Sequence, residues 1–120
     1  MTWNLDKNRP ICPQICEIIS VKIANGEYAP NEKIPSVREI ALEAGVNPNT
    51  VQKALNSLTE QGLLYPMRGS GMFVNDNSDR AVLRVEEMRR KKTAEYLEEM
   101  KSLGMTLEQV KRFMEEWKDE

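Results

Sequence analysis

A mainly α-helical fold with one small β-hairpin is predicted for these 120 residues by three observations. The first is a pair of helix starts written one after the other in capping chemistry. Ser36 is followed three residues later by Glu39, the two ends of a capping box. Asn47 can cap the next helix, with Pro48 at the first helical position, where a missing N–H costs nothing. The second observation is the tight turn Ala44-Gly45-Val46 between those helices, with its apolar plug. The third is a pair of short β-type runs that follow, separated by a glycine-containing tip. Helix, turn, helix and hairpin in this order predict a winged helix-turn-helix, and two more helices predict a helical tail behind it.

Each element has its own local reason. Residues 1–10 read as a short arm with Trp3 and Leu5 as anchors. A helix from about Ile11 to Ala24 follows from Ile11, Ile15, Ile18, Ile19 and Ile23, which share a face at helical spacing. Pro13 is tolerable there because it lies in the first turn. Asn25-Gly26 closes that helix, and Tyr28-Ala29-Pro30-Asn31 is a loop. The next helices run from about Ser36 to Glu43 and from about Pro48 to Gln61. In the latter, Val51, Ala54, Leu55 and Leu58 form the buried stripe, and Gln52, Lys53 and Asn56 lie off it. Leu63-Leu64-Tyr65 and Met72-Phe73-Val74 are the strands, with Pro66 to Gly71 as the hairpin tip. After the polar hinge 75–79, a long helix is expected from about Asp79 to Ser102. A last one opens with the capping box of Thr106 and Gln109. The expected domains are a winged helix-turn-helix at 1–76 and a helical dimerisation tail at 77–120.

Composition narrows the function. The net charge of −2 argues against a protein that coats nucleic acid generally, but not against a local basic face. From Ala44 to Asn75 the only acidic residue is Glu60, and Lys53 and Arg68 lie in the same stretch. Thirty per cent of residues are charged, and eleven acids fall in the tail. With no histidine, most zinc sites and the commonest general base are excluded, and no cofactor is expected. No apolar run is long enough to span a membrane, and the polar first ten residues do not read as a signal peptide; a cytoplasmic protein is expected.

The stretches Ile23 to Ala41, Val46 to Leu55 and Gly69 to Val74 resemble, in order and spacing, the amino-terminal signature of the GntR family of bacterial transcription regulators. The likeness covers roughly Pro10 to Val74. The short two-helix tail is similar to that of the YtrA-type subgroup, which lacks a large effector-binding domain. The resemblance implies a homodimer on a two-fold symmetric DNA operator, acting as a repressor, in a subgroup that often controls transporter genes. It implies a DNA contact for Arg38. Two positions depart from the family pattern. Asn31 stands where glycine is usual, and asparagine also tolerates left-handed geometry. Cys12 stands where an aromatic residue is common.

The residues themselves suggest roles, each beside a plainer one. Asn49, Thr50, Gln52 and Lys53 open the third helix with groups suited to reading base edges or phosphates; a merely solvated polar face is the alternative. Ser36 and Asn47 are caps first and phosphate contacts second. Arg68 and Gly69, at the wing tip, suit a minor groove or a phosphate, against an ordinary solvated turn. Val82, Val85, Met88, Tyr96, Met100, Leu103, Val110, Phe113, Met114 and Trp117 are expected to form the dimer core, and Tyr96, Phe113 and Trp117 could instead line an effector pocket. The tail leaves little room to bury an effector; the sequence does not show whether one exists, and a site at the junction of tail and domain is a hypothesis. The run Arg89 to Lys92 is expected to be a solvated face. Cys12 and Cys16 are expected to be small near-core residues rather than a thiol switch or a metal site. A protein-interaction module that kept the fold and lost DNA binding is the competing function. An enzyme is not expected, for want of histidine, of a phosphate-cradling loop and of paired carboxylates.

Overall fold

The computed structural model describes residues 3–77 and 79–118. Among them the chain forms α1 (Ile11–Ala24), α2 (Val37–Ala44), α3 (Pro48–Glu60), β1 (Leu64–Met67), β2 (Gly71–Val74), α4 (Asp79–Ser102) and α5 (Leu107–Glu116). The expected mainly α winged helix-turn-helix with two helices behind it is what the chain adopts. Two compact units are present, one ending at Val85 and one beginning at Glu86, so the division falls inside α4.

The first unit is organised by α1 packing on α3. Ile15, Ile19 and Ile23, at successive i, i+4 positions, are buried, while Ile11 and Ile18 flank that line half-exposed. They meet Val51, Ala54, Leu55 and Leu58 of α3, together with Ile34, Ile40, Leu64 and Val74, in one hydrophobic cluster. Ala81 of α4 belongs to the same cluster. Burial of each such Ile or Leu side chain contributes roughly 1.5–3 kcal/mol.

The expected caps are all present. The Ser36 hydroxyl accepts from the Glu39 amide, and the Glu39 carboxylate accepts from the Ser36 amide. Asn47 Oδ1 accepts from the Asn49 amide, with Pro48 opening α3. Thr106 and Gln109 exchange the same reciprocal pair at the start of α5. Gly45 ends α2 at φ 69°, the left-handed conformation that lets the chain turn at once into α3.

The arm is tied down by a residue absent from the sequence reading. α1 follows Pro10 without a side-chain cap. Gln14, buried in its first turn, accepts from the Asp6 amide (2.7 Å) and donates to the Asp6 and Pro10 carbonyls (2.8 and 2.9 Å). Lys22, also buried, pairs with Glu27 at 3.1 Å, and its Nζ lies 4.8 Å from the Trp3 ring centroid and 5.2 Å from that of Tyr28. The ion pair and two aromatic faces replace the water that a buried ammonium loses. Trp3 also donates its indole N–H to Glu43 in α2, which brings the arm to the helix pair.

The strands extend further toward the tip than expected, while β1 begins one residue later, at Leu64, and the tip is only Arg68 to Ser70. Antiparallel pairing runs from Leu64 opposite Val74 to Met67 opposite Gly71, with Pro66 opposite Met72. A proline inside the ladder is tolerated for a readable reason. The Met72 carbonyl accepts from the Ile34 amide, so the Met72 backbone groups face away from β1. Pro66 therefore sits where no N–H is needed.

That same hydrogen bond reveals a third partner for the hairpin. Residues 31–34 lie along the free side of β2. Asn31 donates to the Val74 carbonyl at 2.8 Å, Val74 donates to Glu32 at 2.9 Å, and Lys33 forms an isolated antiparallel bridge with Phe73. Asn31 is at φ 63°, the left-handed geometry expected of it, and its Oδ1 accepts from the Tyr65 hydroxyl.

In the second unit, Val110 is buried and Tyr96 and Met100 are half-buried. Arg89 and Arg90 pair with Glu86 on an exposed face, as expected for that basic run. Trp117 is the C-terminal cap of α5 rather than part of the helix, with its ring 5.9 Å from Phe113.

Candidate nucleic-acid interface

Two helix starts, one helix face and one hairpin tip hold the candidate residues. Val37 is the first residue of α2 and Arg38 the second, and Arg38 is exposed. The hydrogen bond from the Ser36 amide, helped by the Ser36 hydroxyl, holds the Glu39 carboxyl below the usual carboxylate range. Glu39 is thus committed to the backbone of its own helix.

α3 divides into two stripes. Val51, Ala54, Leu55 and Leu58 point into the core. Asn49, Gln52, Lys53 and Asn56, with the same i, i+3, i+4, i+7 spacing but displaced by two residues, are exposed. Two residues turn an α-helix by about 200°, so the stripes face opposite ways. Thr50 lies between them, half-buried. The stripe carries amide donors and acceptors plus one ammonium, the groups that match adenine edges, guanine edges or phosphates. Asn56 was not among the sequence candidates. Its Oδ1 accepts from Gln52 Nε2 at 2.9 Å and so ties the Gln52 amide to the next turn of α3. The i, i+4 Gln–Asn spacing was the available signal.

The hairpin presents Arg68 and Gly69 exposed at its tip, where the Ser70 amide closes onto the Met67 carbonyl. Behind the tip, Tyr65 and Phe73 stack with centroids 5.8 Å apart and rings 22° from parallel. Ser36 and Asn47 are exposed, and both are occupied as caps.

The cysteines lie away from these groups. Both are half-buried against the core. Burial, reinforced by Cys12 one turn away, pushes the Cys16 thiol up to about 11, and its Sγ donates to the Ala54 carbonyl. A thiol in that state is a weak nucleophile at neutral pH. No group of three metal-ligating side chains occurs among the described residues, and none of their helices is long and apolar enough to cross a membrane.

The tail candidates separate by exposure. Val85 and Val110 are already buried within the single chain, and Met88, Tyr96 and Met100 are half-buried. Leu103, Phe113, Met114 and Trp117 are 74, 51, 52 and 68% exposed, and Val82 is 47% exposed. Leu107, not among the expected contacts, is exposed as well.

The helix pair joined at Gly45, the capped α3 and the hairpin define a winged helix-turn-helix protein of the kind that binds DNA. The model of the bacterial regulatory proteins of the gntR family matches residues 13–74, and the chain belongs to that family of DNA-binding transcription regulators. It is 36% identical to the uncharacterized HTH-type transcriptional regulator YhcF of Bacillus subtilis, over 96% of this chain and 98% of that one. It is 38% identical to the HTH-type transcriptional repressor YtrA of the same organism, over 58% of this chain and 53% of the repressor. The chain thus spans about half of YtrA and nearly all of YhcF. Among solved structures, a GntR family transcriptional regulator from Listeria monocytogenes superposes with a TM-score of 0.82 at 30% identity, over 95% of this chain and all of that one. AraR(DBD) in complex with operator ORE1 superposes with a TM-score of 0.53 at 38% identity, over 59% of this chain and 89% of that one.

Proposed function

We propose that this regulator is a dimeric repressor that recognises a two-fold symmetric operator. The observation that carries the reading is α3, whose exposed Asn49, Gln52 and Lys53 stand opposite a fully buried stripe. Such a helix presents several hydrogen-bonding side chains on a rigid support, which direct readout of a major groove requires. Arg38 supplies a DNA contact from α2, and Arg68 and Gly69 supply one from the wing. Thr50 takes a phosphate or a thymine methyl. Ser36 and Asn47 act as caps that hold these groups in place. The likeness to an operator-bound DNA-binding domain supports this assignment.

The dimer part of the proposal rests on exposed apolar side chains. Leu103, Leu107, Phe113, Met114 and Trp117 are large and exposed on a short segment, and a face of that kind is normally covered by another polypeptide. A second copy supplies an identical face and gives the two-fold symmetry the operator would mirror. Val82, Val85, Met88, Tyr96, Met100 and Val110 are the further dimerisation residues of the proposal. Functionally, residues 1–76 bind DNA and 77–120 dimerise. Two α3 helices then enter successive major grooves about 34 Å apart. Occupying a promoter in this way represses it without chemistry, and transporter genes are the proposed targets, as in the subgroup with short tails.

Selection of bound sequences from random DNA tests this directly. The expected product is an inverted repeat with half-sites about one helical turn apart. Affinity for it should fall steeply with salt through counterion release. Recovery of no enriched sequence would overturn the reading in favour of a protein-interaction module.

A further inference from the structure

We propose that Lys33 is a further DNA-backbone contact, held beside the wing by strand pairing, with the end of its side chain against Gly71. The inference rests on the DNA-binding reading above and adds to it a residue outside the helix-turn-helix and the hairpin tip.

Three features place the Lys33 ammonium. Its backbone is pinned by the bridge to Phe73 and by the flanking bonds from Ile34 to Met72 and from Val74 to Glu32. Side chains alternate along extended chain, so the burial of Ile34 turns its neighbour Lys33 outward. The side chain then runs along the wing. A β-carbon built at Gly71 would stand 3.1 Å from Lys33 Cε and 3.9 Å from Nζ, so the end of the lysine lies against the bare backbone of Gly71, and a side chain there would push it aside. Gly71 also sits at φ 121°, outside the range that L side chains favour.

The result is a cation anchored at the root of the wing, one residue beyond the Arg68–Ser70 tip. Its charge is also felt at Glu39, as the smallest of the influences holding that carboxyl low, which puts Lys33 within electrostatic reach of the first turn of α2, where Arg38 lies. Glu39 itself is engaged with the Ser36 amide and hydroxyl. A lysine held between two proposed DNA-contacting elements fits a phosphate as a point charge. Contacts of that kind fix position on the duplex without reading sequence.

The test is the salt dependence of binding, followed by fluorescence anisotropy, for the full chain and for Lys33→Gln and Lys33→Arg. The probes are the sequence enriched from random DNA and an unrelated duplex. Removing one phosphate contact lowers the magnitude of the slope of log K against log salt by about 0.9 per bound protomer. Lys33→Gln should show that decrease and weaken binding to both duplexes by the same factor. Lys33→Arg should keep the parent slope. Thermal unfolding of both variants should match the parent, since the side chain is exposed. An unchanged slope in Lys33→Gln, with a steep slope in the parent, overturns the assignment of Lys33 and leaves the DNA reading standing. A loss confined to the enriched sequence overturns it too, because a base rather than a phosphate would be read. A parent that binds neither duplex overturns the underlying reading.

Discussion

Replacing Ser36 by alanine separates the two roles a residue at a helix start can have. The hydroxyl accepts from the Glu39 amide at 3.1 Å, while the Glu39 carboxylate accepts from the Ser36 amide at 2.9 Å. Ser36→Ala removes the first bond and keeps the second, because that donor is backbone. The freed amide is exposed, so water can replace the hydroxyl and no buried group is orphaned. The loss should therefore lie near the middle of the usual range for a cap, about 1 kcal/mol. α2 has only eight residues and is too short to persist without its caps and the burial of Ile40 and Ala41. For a packed unit of this size, a loss of about 1 kcal/mol lowers the midpoint by roughly 4–8 °C. Thermal unfolding followed by far-UV circular dichroism measures it. DNA titrations at several salt concentrations supply the second readout. Loss of a cap loosens α2 and weakens binding, but it leaves the salt slope at the parent value. A midpoint identical to the parent would refute the capping argument. A slope reduced by about 0.9 per protomer would show that the hydroxyl is a phosphate ligand instead.

Four other outcomes follow from the same geometry. Arg38→Ala should abolish operator binding while sedimentation shows an intact dimer; a variant that binds as the parent does would remove Arg38 from the interface. Gly45→Ala meets no atom within 4 Å, so its whole cost is the left-handed conformation, about 1–2 kcal/mol in urea unfolding, and a neutral result would mean the turn can relax. Cys16 titrates near 11 in the fold against an ordinary 9.0, so between those values the unfolded chain has released a proton that the folded chain keeps. Stability should fall as pH rises through that window, and a Cys16→Ala variant should lose less of it. Replacing Phe113 and Trp117 together by serine should leave the first unit's unfolding unchanged and yield monomers by sedimentation equilibrium; a persistent dimer would place the contact elsewhere.

What was legible in the sequence was what local chemistry decides. Caps are written within four residues, so Ser36–Glu39, Asn47–Pro48 and Thr106–Gln109 could be read directly. The buried stripe of α3 was legible because helical periodicity is short. Contacts between distant segments left no such mark. Nothing near Lys33 announces that it will pair with Phe73, and the bridge exists only once the hairpin has folded. Nothing in the sequence marks Lys22 as buried, and its burial is made tolerable by Glu27, Trp3 and Tyr28, which only the fold brings to it. Nothing in the sequence marks Gln14 as the residue onto which the arm folds back. At the candidate site the balance was similar. Arg38 and the α3 stripe were visible in the motif, while the Gln52–Asn56 bond and the position of Lys33 arise only in the folded chain.

The pairing of residues 31–34 with β2 bears on how such regulators can be taken apart and recombined. By sequence the wing is a hairpin that could be cut out at 64 and 74 and moved to another protein. By its hydrogen bonds it is the outer part of a three-segment patch, one segment of which lies some thirty residues upstream, just ahead of α2. A graft of the hairpin alone would leave the Met72 and Val74 carbonyls and the Val74 amide without their partners, on the side where the lysine should lie. A chimera that exchanges wings should therefore carry both stretches from the same parent. Substitutions on the exposed face of α3 can be exchanged alone, since that face supports nothing else in the fold.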